Sequence, residues 1–442
     1  MGYVEIINLV ITFFVLLVAA TYIGYYFILL AGIFSKQKIF PKCDEKLKYG
    51  VIICARNEEI VIGNLIKSVY KCLYPQNKLT VFVMAHNCTD NTAEVARTNG
   101  AIVYEYNNAD EKTKGYALKH MFEVISRDYG IDSFDGYHIF DADNILDKDY
   151  FDKMNDAFLY YDRKCAITSF RNSKNFGENI QTAMYGILYV MGCTIESTGR
   201  MALGSSARIL GSGFLVSNKM VENGWNITNL SDDTDFTIEQ VMKGNRVQYC
   251  GEAMYYDEHP TKFRDMWRQR LRWAKGSQIV CNKRFGSLMK YIFEPDIQEK
   301  RLRWAAYDLL CTILPVGLMG MCLTLLHMIL LSFAPLFGYA SADVWSKYFI
   351  PFAFGFAGGI LLMMLLAALS YIKERRIKNV SLKIKIFSII LYPFFSMLLV
   401  VLQVVMLFTR KFSWTQINHT DTSNYETFNS ESQENKKVDI GK

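Results

Sequence analysis

The chain has 442 residues, 51% of them hydrophobic, with a net charge of +6. Such a length holds two or three domains of ~100–200 residues each, and the basic excess lies mostly beside apolar runs. That placement speaks for membrane topology and lipid headgroups and against nucleic acid as a partner. Ten cysteines occur without a CxxC pair or a His/Cys cluster, which argues against structural zinc and fits free thiols in a reducing compartment.

Residues 6–34 carry no charge and are long enough to cross a bilayer, which needs ~20 apolar residues. A cleaved leader would begin with basic residues and have a shorter apolar run. Here Glu5 precedes the run and Lys36 and Lys38 follow it, which places the trailing domain in the cytoplasm. Residues 1–38 are therefore read as an N-terminal transmembrane helix and residues 45–260 as a cytosolic domain.

That domain alternates strands and helices. Residues 49–55 read as a buried strand running into Arg56-Asn57-Glu58-Glu59, followed by a helix to about Lys71. Residues 79–85 read as a second strand, ending in the polar loop 86–91. Asn91 and Glu94 have capping-box spacing for the next helix. Residues 101–106, 114–127 and 137–140 then read as strand, helix and strand. The pattern predicts an α/β fold with a mostly parallel sheet and helices on both faces. Ligands of such sheets bind at the carboxyl ends of the strands.

Residues 262–282 mix Phe263, Trp267 and Trp273 with four arginines, the character of an interfacial helix, and residues 261–303 are read as an interfacial unit. Spans are predicted at about 305–332, 346–372 and 386–409, within a C-terminal membrane unit 304–411. The basic loop 373–385 belongs in the cytoplasm. One N-terminal and three C-terminal spans put the tail outside, whereas Arg410 and Lys411 pull it inward. Residues 412–442 are polar, with a composition expected to stay disordered.

Asp141-Ala142-Asp143 closes an apolar strand. Two carboxylates there suit a hard cation that takes its other ligands from phosphate and water; such a pair also often just caps a turn. Ser231-Asp232-Asp233-Thr234-Asp235 precedes a helical stretch at 236–243. It could cap that helix, yet three carboxylates exceed what a cap requires. Their repulsion raises at least one pKa, which suits a general base. Gln269-Arg270-Leu271-Arg272-Trp273 joins forked cations for a diphosphate to a flat ring for a sugar; an ordinary amphipathic helix is the competing reading.

In this order, and between membrane segments, these motifs resemble the family 2 glycosyltransferases. More narrowly they are similar to membrane-integrated cellulose, hyaluronan and poly-N-acetylglucosamine synthases. The resemblance implies a glycosyltransferase A-type sheet inserted between transmembrane helices, a UDP-sugar donor, a Mg²⁺ or Mn²⁺ cofactor, and a growing glycan or lipid acceptor at the plasma membrane. Ala55, Arg56, Glu58, His86, Lys114 and Asp141 would bind the nucleotide sugar, and Asp143 the metal. Asp233 would be the base, with Asp235 a rival, and Asp232 beside it would contact the diphosphate or acceptor. Gly211, Ser212, Gly213 and Phe214 would hold the acceptor end. Gln269, Arg270 and Arg272 would hold the diphosphate or acceptor, and Trp273 would stack on the acceptor sugar. His86 departs from the family's usual Asp, which loosens the assignment of uridine.

The resemblance favours a processive β-glycan synthase, with UDP-glucose as the first donor and UDP-N-acetylglucosamine the second. Transfer of one sugar to a membrane lipid is the alternative. A catalytically inactive channel subunit is the third, opposed by the intact Asp143, Asp233 and QRLRW.

Overall fold

The computed structural model describes residues 2–297, 299–377 and 380–409. The pair Arg410-Lys411 and the polar tail lie outside them.

Helices α1 (Tyr3–Thr21) and α2 (Ile23–Phe34) break at Tyr22. Together they form a 32-residue apolar element. The next segments follow in the order β1 (Tyr49–Ala55), α3 (Ile62–Tyr70), β2 (Leu79–His86), α4 (Thr92–Thr98), β3 (Ile102–Tyr106), α5 (Lys114–Asp128) and β4 (Gly136–Asp141). After them come β5 (Ile145–Leu146), α6 (Tyr150–Tyr160), β6 (Ala166–Ser173), α7 (Ile180–Met191), α8 (Thr198–Ala202), β7 (Phe214–Ser217), α9 (Asp232–Met242) and β8 (Val247–Asp257).

All eight strands join one sheet in the order β3-β2-β1-β4-β7-β6-β8-β5. The first four are mutually parallel. β7 runs antiparallel to both neighbours, and β6 and β8 are parallel. The sheet is mixed because the chain turns back on itself after β4. Continuous apolar runs make the parallel strands, since both faces are covered. Side chains alternate between faces: Ile52, Phe82 and Met84 enter one core, and Val51, Ile53, Val81 and Val83 enter the other.

The capping box expected at Asn91 does not form, because Asn91 makes no side-chain cap bond. Asp90 takes that role, accepting from the Thr92 amide at 3.0 Å.

Beyond the sheet, α10 runs as one helix from Phe263 to Phe293, longer than the expected 262–282. The predicted span at 305–332 is two helices, α11 (Lys300–Ile313) and α12 (Val316–Ser332), bent by 57°. The hinge is Leu314-Pro315, where proline lacks the amide that would continue the helix. Then come α13 (Ser341–Val344), α14 (Ile350–Lys373) and α15 (Leu382–Phe408). Three elements are long and apolar enough to cross a membrane, or four if the bent pair is one span.

α2 lies directly against the connection between α7 and α8, a π-helical turn at Gly192–Ser197. A side chain at Gly32 would collide with the Ile195 carbonyl, and one at Gly199 with the Ile28 carbonyl. Small residues are what let two helix backbones approach this closely. Polar bonds hold the same joint. Tyr25 donates to Glu196 at 2.8 Å, and the buried Arg200 binds Glu196 at 2.9 Å and Asp308 of α11 at 2.7 Å.

Candidate active site

The carboxyl ends of β1, β2, β4, β6 and β8 open into one cavity of about 450 Å³, closed from the side by the first turn of α9 and by α10. The first two loops are tied to each other. The Glu58 amide donates to Thr92 Oγ1 at 2.8 Å, and the Thr89 amide to Asn57 Oδ1 at 2.7 Å. Ala55, Arg56, Glu58 and His86 line this end. Burial holds the His86 imidazole below its ordinary pKa, so it is neutral near pH 7.

Lys114 opens α5 and donates to Asp141 Oδ1 at 2.5 Å and to the Gly211 carbonyl at 2.8 Å. Burial alone would lower its pKa, but Asp141 and Asp232 hold it above its ordinary value. It is a fixed positive charge at the end of β4. Asp143 is 4% exposed. Its Oδ2 accepts from the Glu258 amide at 3.2 Å and its Oδ1 from the Asn144 side-chain amide at 3.2 Å, and Asn144 also donates to Asp257 Oδ1 at 2.8 Å.

The acidic cluster does not precede its helix; it forms the helix's first turn. Asp232 and Asp233 face the cavity. Burial raises both, and the neighbouring Asp233 pushes Asp232 further, to about 7. Asp235 points the other way. It is fully buried and accepts from Lys283 at 2.8 Å, from Asn229 at 2.5 Å and from Arg284. The structure thus removes Asp235 as a rival base and makes it the clamp between α9 and α10. Asp235→Asn should cost on the order of 2 kcal/mol, less than a fully buried pair because Lys283 is half exposed. Thermal unfolding measures this, and the folded variant should still turn over.

On α10, Gln269, Arg272 and Trp273 reach the cavity. Gln269 Oε1 is buried with no hydrogen-bond partner among the described residues, an acceptor open to a ligand donor. Arg270 does not face the cavity. Two residues from Arg272 it lies on another side of the helix, donating to the Phe395 carbonyl at 2.6 Å and covering the Phe395 ring. Its role as a diphosphate ligand is therefore corrected to that of a brace against α15.

Gly211 lines the cavity, but Ser212, Gly213 and Phe214 sit behind its wall. Ser212 Oγ accepts from the Asp141 amide at 3.0 Å. Gly213 has φ +65° and packs so closely on Tyr255 that a side chain would collide. Phe214 is in β7, paired with Ile139 and Thr168. These three shape the end of β4 and do not touch a ligand in the cavity.

The sequence reading missed Arg171, Tyr189, Glu196, Arg208, Asp257 and Glu258, all of which line the cavity. Arg171 donates to Asp257 Oδ2 at 3.0 Å and stands 3.8 Å over the Tyr189 ring. Asp257 closes β8 and Arg171 lies near the end of β6. The strand-end rule locates both once those strands are seen.

The sequence matches "Glycosyltransferase like family 2" over residues 47–276, more than half of the chain and the whole of this cavity's sheet. The chain is a family 2 glycosyltransferase. It is 24% identical over 276 residues to the probable glycosyltransferase YdaM of Bacillus subtilis, covering 60% of this chain and 66% of that protein. It is 25% identical over 248 residues to the poly-beta-1,6-N-acetyl-D-glucosamine synthase of Staphylococcus aureus, covering 54% and 57%. The match thus spans less than two thirds of either relative. Among solved structures, the mannosyltransferase PcManGT of Pyrobaculum calidifontis, in complex with GDP-Man and Mn²⁺, superposes with a TM-score of 0.58 at 14% identity. That superposition covers 91% of this chain and 98% of that one. The shared fold is the glycosyltransferase A-type mixed sheet flanked by apolar helices.

A divalent cation fits the donor set of this transferase. Asp143 and Asp257 both line the cavity, are both bonded by the Asn144 side-chain amide, and are both hard oxygen donors. No cluster of three or more His, Cys, Asp or Glu with metal-binding geometry occurs among the described residues. Phosphate oxygens and water would complete the coordination, as is usual for Mg²⁺.

Proposed function

We propose that this glycosyltransferase moves a sugar from a UDP-sugar to the hydroxyl of a growing β-glycan, with inversion, at the cytosolic face of the plasma membrane. The observation that carries the reading is the meeting of Asp233, Lys114, Asp143, Gln269, Arg272 and Trp273 in one cavity. Asp233 takes the acceptor's hydroxyl proton as that oxygen attacks the anomeric carbon. The new C–O bond forms as the anomeric C–O bond to the diphosphate breaks, and UDP leaves with the electron pair. Lys114 and Arg272 bear on the departing diphosphate, and Trp273 offers its face to the acceptor ring. A bound Mg²⁺ or Mn²⁺ would be held by Asp143 and would neutralise diphosphate charge.

The Staphylococcus relative favours UDP-N-acetylglucosamine as the first donor to test, ahead of UDP-glucose. Purified full-length protein in detergent, given UDP- and GDP-sugars with Mg²⁺ or Mn²⁺, should consume one donor and yield β-linked polymer. The Tyr25–Glu196 contact, which sets the cavity wall against the first apolar helix, supports a second reading, one-step transfer to a membrane lipid. A lipid that gains a single sugar, and no polymer, would favour it.

The Asp232–Asp233 pair titrates as a unit. Burial raises both carboxyls, so the base form is lost as pH falls and kcat/KM should rise with pH through a limb above the ordinary carboxylate range. Asp232→Asn leaves the burial that raises Asp233, so a limb that belongs to Asp233 should persist in that variant. A limb lost with Asp232→Asn would assign it to Asp232.

A further inference from the structure

The cavity extends beyond the strand ends onto a helix face. Its far wall is one helix face: Leu188, Tyr189, Gly192 and Glu196 fall at helical spacing and all line it. Facing them is the extended loop Arg208–Gly211, where Arg208 and Leu210 line the cavity and the alternate Ile209 is buried in the core. The strip starts beside the base. A side chain on Gly211 would lie 3.9 Å from Asp233 Oδ2 and 3.8 Å from Arg171 Nη1. From Tyr189 to Glu196 it runs about 10 Å along the helix, comparable with a disaccharide.

At its end Arg208 donates to Glu196 at 2.8 Å. The Arg208 Nε is buried with no hydrogen-bond partner among the described residues. Glu196 is already held by Arg200 and Tyr25. A lone arginine here would suit a phosphate, but a carboxylate in the same wall repels one. A guanidinium and a carboxylate side by side present donors and an acceptor together, which matches neighbouring hydroxyls on a sugar ring.

We infer that Arg208 and Glu196 form a distal acceptor subsite that binds a neutral sugar of the glycan chain, one or two units behind the sugar stacked on Trp273. This deepens the proposed polymerising function and rests on it.

The test uses purified full-length enzyme with N-acetylglucosamine oligomers of increasing length, or glucose oligomers if UDP-glucose is the active donor. Arg208→Gln leaves Glu196 with two partners. It should raise KM for the longer oligomers roughly tenfold, the worth of a charge-assisted hydrogen bond, and leave KM for the monosaccharide and for the UDP-sugar unchanged. Arg208→Lys should restore part of the effect. Gly192→Leu adds bulk to the same helix face and should also penalise long oligomers selectively, which keeps the test open if Arg208→Gln misfolds. Equal effects at every acceptor length, or a raised donor KM, would overturn the subsite. So would inhibition by inorganic phosphate that Arg208→Gln relieves. Failure of the wild type to elongate any oligomer would instead sink the function it rests on.

Discussion

Asp233→Asn should reduce sugar transfer by ~10²–10⁴-fold, the usual worth of a positioned general base, while nucleotide binding stays measurable. The amide is isosteric, so α9 keeps its first turn and Thr234 keeps its bond to the side-chain oxygen at 2.7 Å. What is lost is the acceptor for the hydroxyl proton. Asp232, also in the cavity, could supply some residual rate; Asp235 could not, because Lys283, Arg284 and Asn229 already occupy it. Rate and UDP affinity measured on the same preparation decide the matter. Near-normal turnover would remove Asp233 from the chemistry.

Lys114→Met should be nearly as severe, costing ~10²–10³-fold in kcat, the scale for removing one preorganised charge from a developing anion. The lysine joins Asp141 to the Gly211 carbonyl, so the substitution takes away both a cation and a strut between β4 and the acceptor loop. Those two losses separate in the kinetics. Loss of leaving-group stabilisation lowers kcat with little change in acceptor KM, whereas a displaced Gly211 loop raises acceptor KM. An acceptor effect alone would count against Lys114 as a diphosphate ligand.

The parallel half of the sheet was legible because its strands are unbroken apolar runs ending in polar loops, as with Tyr49–Ala55 and Leu79–His86. The antiparallel half was not. β7 is only four residues long, and β8 mixes Gln248, Glu252 and Asp257 into its pattern. Missing β6 and β8 hid Arg171 and Asp257. The motif residues mostly converge in one cavity, since short loops at strand ends hold them. Arg270 departs because, two residues from Arg272 on the same helix, it lies on a different side. Ser212, Gly213 and Phe214 depart because the chain after Gly211 dives into the sheet. Glu196 and Arg208 carry no motif; only the packing of α2 on the π-helical turn makes a site of them.

That packing also decides whether the enzyme can be divided. Gly32 and Gly199 bring backbone against backbone, Arg200 reaches Asp308 across the chain, and Lys373 Nζ caps the Gly32 and Ile33 carbonyls at 2.6 and 2.7 Å. A fragment trimmed to residues 45–260 would leave Arg200 and Glu196 without Asp308 and Tyr25, and would expose a bare groove where α2 lay. The catalytic sheet and the apolar helices are thus one folding unit here, and a version without those helices would have to be redesigned along that seam.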